Sequence, residues 1–290
     1  MPAKLILFYL SYVYKLYNSA YTYTYCVCHY QRRFTVLIHF RKYNLLTMLD
    51  PKSKTKKTIT LNKSINDCAD SISIGNRIFF IGGFNSGEMY EIDFKKNTLI
   101  EKQSMLIPKY AHTLCNVAQY IYSIGGCYHL ALNDSEKYSI CQNNWRALPT
   151  LQTARCACAA FTFNDAHIYC SCGNNDSGTH LNSMEKLGLK EGCKWEYISV
   201  SNIFSPRGNV HGIQIGDNEV IVYGGYTVEC YVLHLGNRII ECKRVGDMTV
   251  ASDFYCCASP VFDGTNVYAC ERYRRIHMYS MADMKWLVVG

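Results

Sequence analysis

Short apolar runs recur along this chain, and most of them end in a glycine pair. RIFFIGG covers 77–83, YIYSIGG 120–126 and EVIVYGG 219–225. In HIYCSCG (167–173) Cys172 replaces the first glycine, and in NVYACER (266–272) the pair is lost. The starting points lie 43, 47, 52 and 47 residues apart, so one unit repeats in phase. A run this short, rich in Ile, Val, Tyr and Phe and bounded by turn residues, predicts a strand buried on both faces.

A β-rich segment precedes each run (SISIGN, HTLCNVAQ, CACAAFTFND, VHGIQIGDN, YCCASPVFDGT). Two more follow it, such as SEKYSI and NWRAL after the second and IHMYSM and KWLVV after the fifth. Four short strands per unit predict one antiparallel sheet. Such a sheet twists and cannot stand alone, whereas sheets set radially bury their faces against neighbours. One period upstream of RIFFIGG lies FTVLIHF (34–40), and TITL (58–61) takes the closing-strand position. Residues 34–66 therefore predict a degenerate first unit, with His39-Phe40 where the glycines belong. Its innermost strand would fall among Cys26 to Arg33, where the pattern fails.

The apolar run ending in Gly-Gly, followed by Tyr and Trp with six residues between them (Tyr138 and Trp145, Tyr279 and Trp286), resembles the kelch repeat. The resemblance covers about residues 67–290 in five units, and the Gly-His and Trp-Asp marks of WD40 repeats are missing. It implies an all-β, kelch-type β-propeller over 34–290, with a degenerate blade at 34–66 and clear blades over 67–290. Six blades are the preferred count and five the second choice. Residues 1–33 are read as a poorly ordered tail, a leader or an artefact of the gene model. Gly82, Gly83, Gly125, Gly126, Gly173, Gly224 and Gly225 are expected to be structural, since glycine accepts φ > 0 and close backbone approach.

In a propeller the loops into each inner strand and the loops after each glycine pair crowd one mouth of the central channel. The first set carries Lys109, Arg155 and Arg207 at nearly matching positions, and Phe254 departs from them in the fifth unit. In kelch proteins that bind acidic peptides, basic residues here contact carboxylates, so the resemblance implies that role for these three. Arginine forks suit carboxylates. Phe84, Tyr128 and Tyr226 follow glycine pairs and complete the expected partner-binding mouth. Asn174 stands there in the third unit, and Arg272, Arg274 and Arg275 cluster in the fifth.

Charge and composition narrow the reading further. The net charge of +7 belongs to residues 1–66, where eleven Lys or Arg face Asp50 alone; the rest is near −3 (nineteen basic, twenty-two acidic). KSKTKK (52–57) falls between two outer strands, where a solvated loop is expected and nucleic acid is not. Sixteen cysteines, three pairs of them spaced Cys-x-Cys, show no Cys-x-x-Cys ligand pattern and read as buried small apolar residues. Leu5 to Tyr14 resembles a short signal core, yet ten residues cannot span a bilayer.

No catalytic residue, cofactor or metal is expected: His-Glu-x-x-His and Gly-x-Ser-x-Gly are absent, and His112 and His211 read as repeat residues. The expected function is a cytoplasmic scaffold or adaptor that binds a protein or acidic peptide. Kelch relatives further imply substrate recruitment to a cullin-type ubiquitin ligase, or cytoskeletal scaffolding. The alternatives are a metal oxidase resembling galactose oxidase, and a secreted, disulfide-bearing propeller should residues 1–20 act as a signal peptide.

Overall fold

The computed structural model describes residues 23–288, apart from 31–32, 41–43, 51–54, 202–204, 206, 226, 237–239, 249–259 and 271–275. Every regular element among them is a β-strand. The first sheet is β1 (Tyr23–Tyr30), β2 (Arg33–Phe40), β3 (Leu45–Asp50) and β4 (Thr55–Thr60). The second is β5 (Asp70–Ile74), β6 (Arg77–Ile81), β7 (Met89–Asp93) and β8 (Thr98–Lys102). The third holds β9 (Thr113–Val117), β10 (Tyr120–Ile124), β13 (Ser135–Ser139) and β14 (Asn144–Ala147), with a small hairpin of β11 (Cys127–Tyr128) and β12 (Leu130–Ala131) inserted before β13.

The fourth is β15 (Ala159–Phe163), β16 (His167–Ser171), β17 (Met184–Gly188) and β18 (Trp195–Ile198). The fifth is β20 (Val210–Gln214), β21 (Glu219–Gly224), β22 (Cys230–Leu235) and β23 (Ile240–Val245). Its outer edge is extended by β19 (Val200–Ser201), which pairs in parallel with β23. The sixth is β24 (Val261–Phe262), β25 (Asn266–Cys270), β26 (Ile276–Ser280) and β27 (Lys285–Val288).

The alternation of side chains along a strand explains why the middle of the second strand carries consecutive apolar residues. Phe80 of β6 packs towards Leu46 and Ile59 of the first sheet, while its neighbour Phe79 packs towards Leu114 and Trp145 of the third. Ile124 and Tyr122 likewise meet Ile168 and Trp195, and Val220 and Val222 meet Phe161 and Tyr169. Ile221 and Tyr223 turn the other way, onto Val267 and Trp286. The core is thus a series of layers between successive sheets.

The spaced Tyr and Trp become cross-strand partners. Tyr138 pairs with Trp145, ring centroids 5.2 Å apart, and Tyr279 with Trp286 at 5.3 Å. Trp145 Nε1 also donates to the Gln103 carbonyl of the preceding sheet at 2.9 Å.

Inner strands follow one another around an axis: β5 lies beside β9, β9 beside β15, β15 beside β20 and β20 beside β24. Five blades that carry the repeat, over residues 70–288, form a kelch-type propeller, the count held second from sequence. The degenerate unit is a further four-stranded sheet, and its inner strand β1 touches β5 on one side and β24 and β25 on the other. The expected boundary at residue 34 moves upstream, because Tyr23–Tyr30 pairs along its whole length with β2. Its Tyr, Thr and Val content suits a strand although no glycine marks it. Residues 1–22 lie outside the described set.

Candidate functional site at the glycine-pair face

The three basic residues expected to meet a partner are instead withdrawn from solvent. Lys109 and Arg155 are 0% exposed and Arg207 is 2% exposed. Each enters its blade through the linker before the inner strand and meets an acid at the start of the third strand. Lys109 Nζ pairs with Glu136 at 3.0 Å and also with Asp134. Arg155 pairs with Glu185 at 2.7 Å, both fully buried, and donates further to the carbonyls of Cys172 and Ser183. Arg207 pairs with Glu229 at 2.7 Å and donates to Thr227 Oγ1. That bond holds the Glu229 carboxyl below its ordinary range, against burial.

A buried cation without a partner would be prohibitively costly, so these charges are already neutralised inside the fold. The carboxylates also accept backbone N–H groups of their own linkers. Glu136 takes those of Leu106 and Ile107, and Glu185 those of Gln152 and Thr153. The base, the acid and the linker therefore act as one pin. The acids were the missed residues, and their signal was present: each follows its base by 22 to 30 residues, in phase with the repeat.

The glycine pairs complete that pin from the preceding blade. Gly83 N donates to the Lys109 carbonyl at 3.0 Å, Gly126 N to that of Arg155 at 2.9 Å and Gly173 N to that of Arg207 at 2.9 Å. Gly125 sits at φ +58°, and a Cβ there would collide with the Arg155 carbonyl oxygen. Cys172 keeps the left-handed conformation at φ +61° without being glycine, at a cost of roughly 1–2 kcal/mol. His112 is wedged beside Gly82 and Gly126. Burial, then the charge of Lys109, lower its imidazole to about 3.

With these three cations paired, the exposed side chains described near the glycine pairs include apolar and aromatic ones beside polar groups such as Glu88 and Asp176. The β11–β12 hairpin presents Tyr128 at 40% and Leu130 at 58% exposure, with His129 between them at φ +66°. Leu106 and Ile107, in the linker pinned to Glu136, are exposed as well. Leu130, His129, Leu106 and Ile107 were not singled out from sequence, since lone apolar residues in loops carry no pattern. Phe84 is half-buried and rests on the Tyr110 ring at 5.2 Å. Tyr226, Phe254, Arg272, Arg274 and Arg275 lie outside the described residues.

The inner strands enclose a central cavity of about 370 Å³. Ser73, Thr113, Asn116, Thr162, His211 and Gln214 supply its polar groups, and no Asp, Glu, Lys or Arg lines it among the described residues. The described residues contain no group of three or more His, Cys, Asp or Glu placed to hold a metal. They also contain no helix long and apolar enough to cross a membrane. Eleven described cysteines are free thiols.

A family model, the Kelch motif, matches residues 108–152, from the linker that carries Lys109 to just past β14. No curated protein matches the chain. The fold is that of kelch propellers, which are typically binding scaffolds without catalysis.

Proposed function

We propose that this chain, a kelch-repeat propeller by its blades and its matched motif, is a protein-binding scaffold that holds its partner through the β11–β12 hairpin. The observation that carries the reading is the exposure of Tyr128 and Leu130 on a short, backbone-paired hairpin above a rigid ring. Exposed aromatic and aliphatic side chains on a rigid support are common anchors in protein recognition. The neighbouring cations are engaged internally, so the partner surface that fits here is apolar rather than acidic. Recruitment to a ubiquitin ligase and attachment to the cytoskeleton are the finer roles within this reading. The free thiols support a reducing compartment, the cytoplasm.

Capture of partners by the full chain from a cell extract, identified by mass spectrometry, tests the site when repeated with Tyr128→Ala/Leu130→Ala. The partners retained by the wild type should fall about tenfold or more, the scale of a lost anchor, while the melting temperature stays within a degree or so. Undiminished capture by the double variant removes the hairpin from the interface. Ligase subunits or cytoskeletal proteins among the captured set would sort the two finer roles.

A further inference from the structure

The same face carries a thiol pair that the binding role does not use. We propose that Cys127 and Cys156 are a redox-active dithiol, closed to a disulfide by hydrogen peroxide. Cys127 opens the β11–β12 hairpin, and Cys156 lies in the linker entering the next blade. Both are buried in one cluster with Tyr110, and Cys68, Phe84, Ala111 and Ala131 pack against it. Backbone bridges hold each in place: Tyr110 with Cys127, and Cys156 with Asn174. Ala157 N donates to the Ala111 carbonyl at 2.8 Å, tying the two linkers together.

Cys127 Sγ lies 3.3 Å from the Tyr110 hydroxyl and within hydrogen-bonding contact of the Cys156 side chain. The Cys156 contact and then Tyr110, against burial and nearby Asp176, hold the Cys127 thiol down to about 7. A thiolate stabilised in this way is a nucleophile at neutral pH.

A second thiol pair supplies an internal contrast. Cys158 and Cys170 sit 3.5 Å apart, sulfur to sulfur, in the apolar layer between the third and fourth sheets. Their mutual contact and burial push the Cys158 thiol well up. Burial does the same to Cys115 beside them. Closeness is therefore shared by the two pairs, whereas a hydroxyl partner and a place at the foot of an exposed hairpin belong to the mouth pair.

The chemistry balances with peroxide as oxidant. The Cys127 thiolate attacks one peroxide oxygen, the O–O bond breaks and hydroxide leaves, giving a sulfenic acid. The Cys156 sulfur then attacks the sulfenyl sulfur, the S–O bond breaks, and the oxygen leaves as water with the Cys156 proton. Two thiols and one peroxide become one disulfide and two waters. Small openings of the hairpin, whose tip is already exposed, admit the oxidant. The bond would fasten the hairpin to the linker of the following blade and fix how Tyr128 is presented.

The test uses the reduced full chain, treated with limiting hydrogen peroxide, denatured in alkylating reagent and mapped by mass spectrometry without reduction. The Cys127–Cys156 cross-linked peptide should exceed any Cys158–Cys170 peptide about tenfold, as expected when opening of the exposed hairpin admits oxidant and the inter-sheet layer excludes it. In Cys156→Ser, a dimedone probe should label Cys127 as trapped sulfenic acid, and Tyr110→Phe should slow closure severalfold. Failure to form the Cys127–Cys156 bond in the wild-type chain, or prior closure of Cys158–Cys170, overturns the proposal even if a variant misfolds. No partner enters the assay, so its outcome is separate from that of the binding experiment.

Discussion

Residues 113–147 and residues 23–60 each fold into four antiparallel strands held between two neighbouring sheets, but they are secured by different means. The third sheet has the glycine pair, the linker cation and the carboxylate that bind it at both flanks. The first sheet has His39-Phe40 in the glycine position, yet Leu46 and Ile59 still enter the layer with Ile78, Phe80 and Leu99. The difference separates two jobs. Alternating apolar side chains are sufficient to make and dock a sheet, whereas the polar pin sets the spacing and angle of its successor.

Removing one member of a fully enclosed pin should give the largest effect. Glu185→Leu strands the Arg155 guanidinium and two linker N–H groups, and should cost about 3–5 kcal/mol in urea unfolding. Arg155→Met/Glu185→Leu should recover much of that loss, and a double variant no better than the single would break the distinction between pin and packing.

A somewhat smaller loss tests the other side of the comparison. Leu46→Ala in the first sheet should cost about 2–4 kcal/mol, since Leu46 is 0% exposed within an inter-sheet layer. An unchanged urea midpoint would show the first sheet to be an ornament rather than part of the ring.

Acid titration over the first pH unit below 6.5 gives the smallest and most selective effect, at most about 1.4 kcal/mol. His112 is lowered to about 3 by burial and then Lys109, so the unfolded chain takes a proton below pH 6.5 that the folded chain refuses. Stability attached to His112 is complete above pH 6.5 and lost as pH falls towards 3. Asp70 runs oppositely: burial raises it to about 7, so stability attached to it declines as pH rises from about 4 to 7. Comparing wild type with His112→Asn isolates the histidine, and their stability difference should be flat above pH 6.5 and change only below it. A difference that grows above pH 7 would assign the effect elsewhere.

Much of the ring was legible because the second strands carry short runs of consecutive apolar residues bounded by turn signals, as a strand buried on both faces requires. Tyr138 and Trp145 were likewise visible, as their spacing across a tight turn brings them opposite each other. Strand β1 was placed too far downstream, among Cys26 to Arg33, since FTVLIHF ends in His39-Phe40 and offers no glycine pair to fix the phase of its partner. Strand β19 could not be foreseen, because two residues pairing in parallel with a distant strand leave no local trace. The misreading of Lys109, Arg155 and Arg207 has a sharper cause. A cation in a linker looks the same whether it faces water or a carboxylate, and the trace of the pairing was the recurring acid downstream, Glu136, Glu185 and Glu229.

Strand β1 rests against β5 on one flank and against β24 and β25 on the other, though more than two hundred residues separate it from the latter in the chain. During synthesis the first sheet must wait with one flank uncovered while the four sheets that follow it assemble beside it. Its last neighbour arrives only once β24 and β25 have been made. Throughout that interval an unsatisfied apolar surface is open to chaperones or to a second nascent copy, so the seam between the oldest and youngest strands is where assembly of this molecule is most easily diverted.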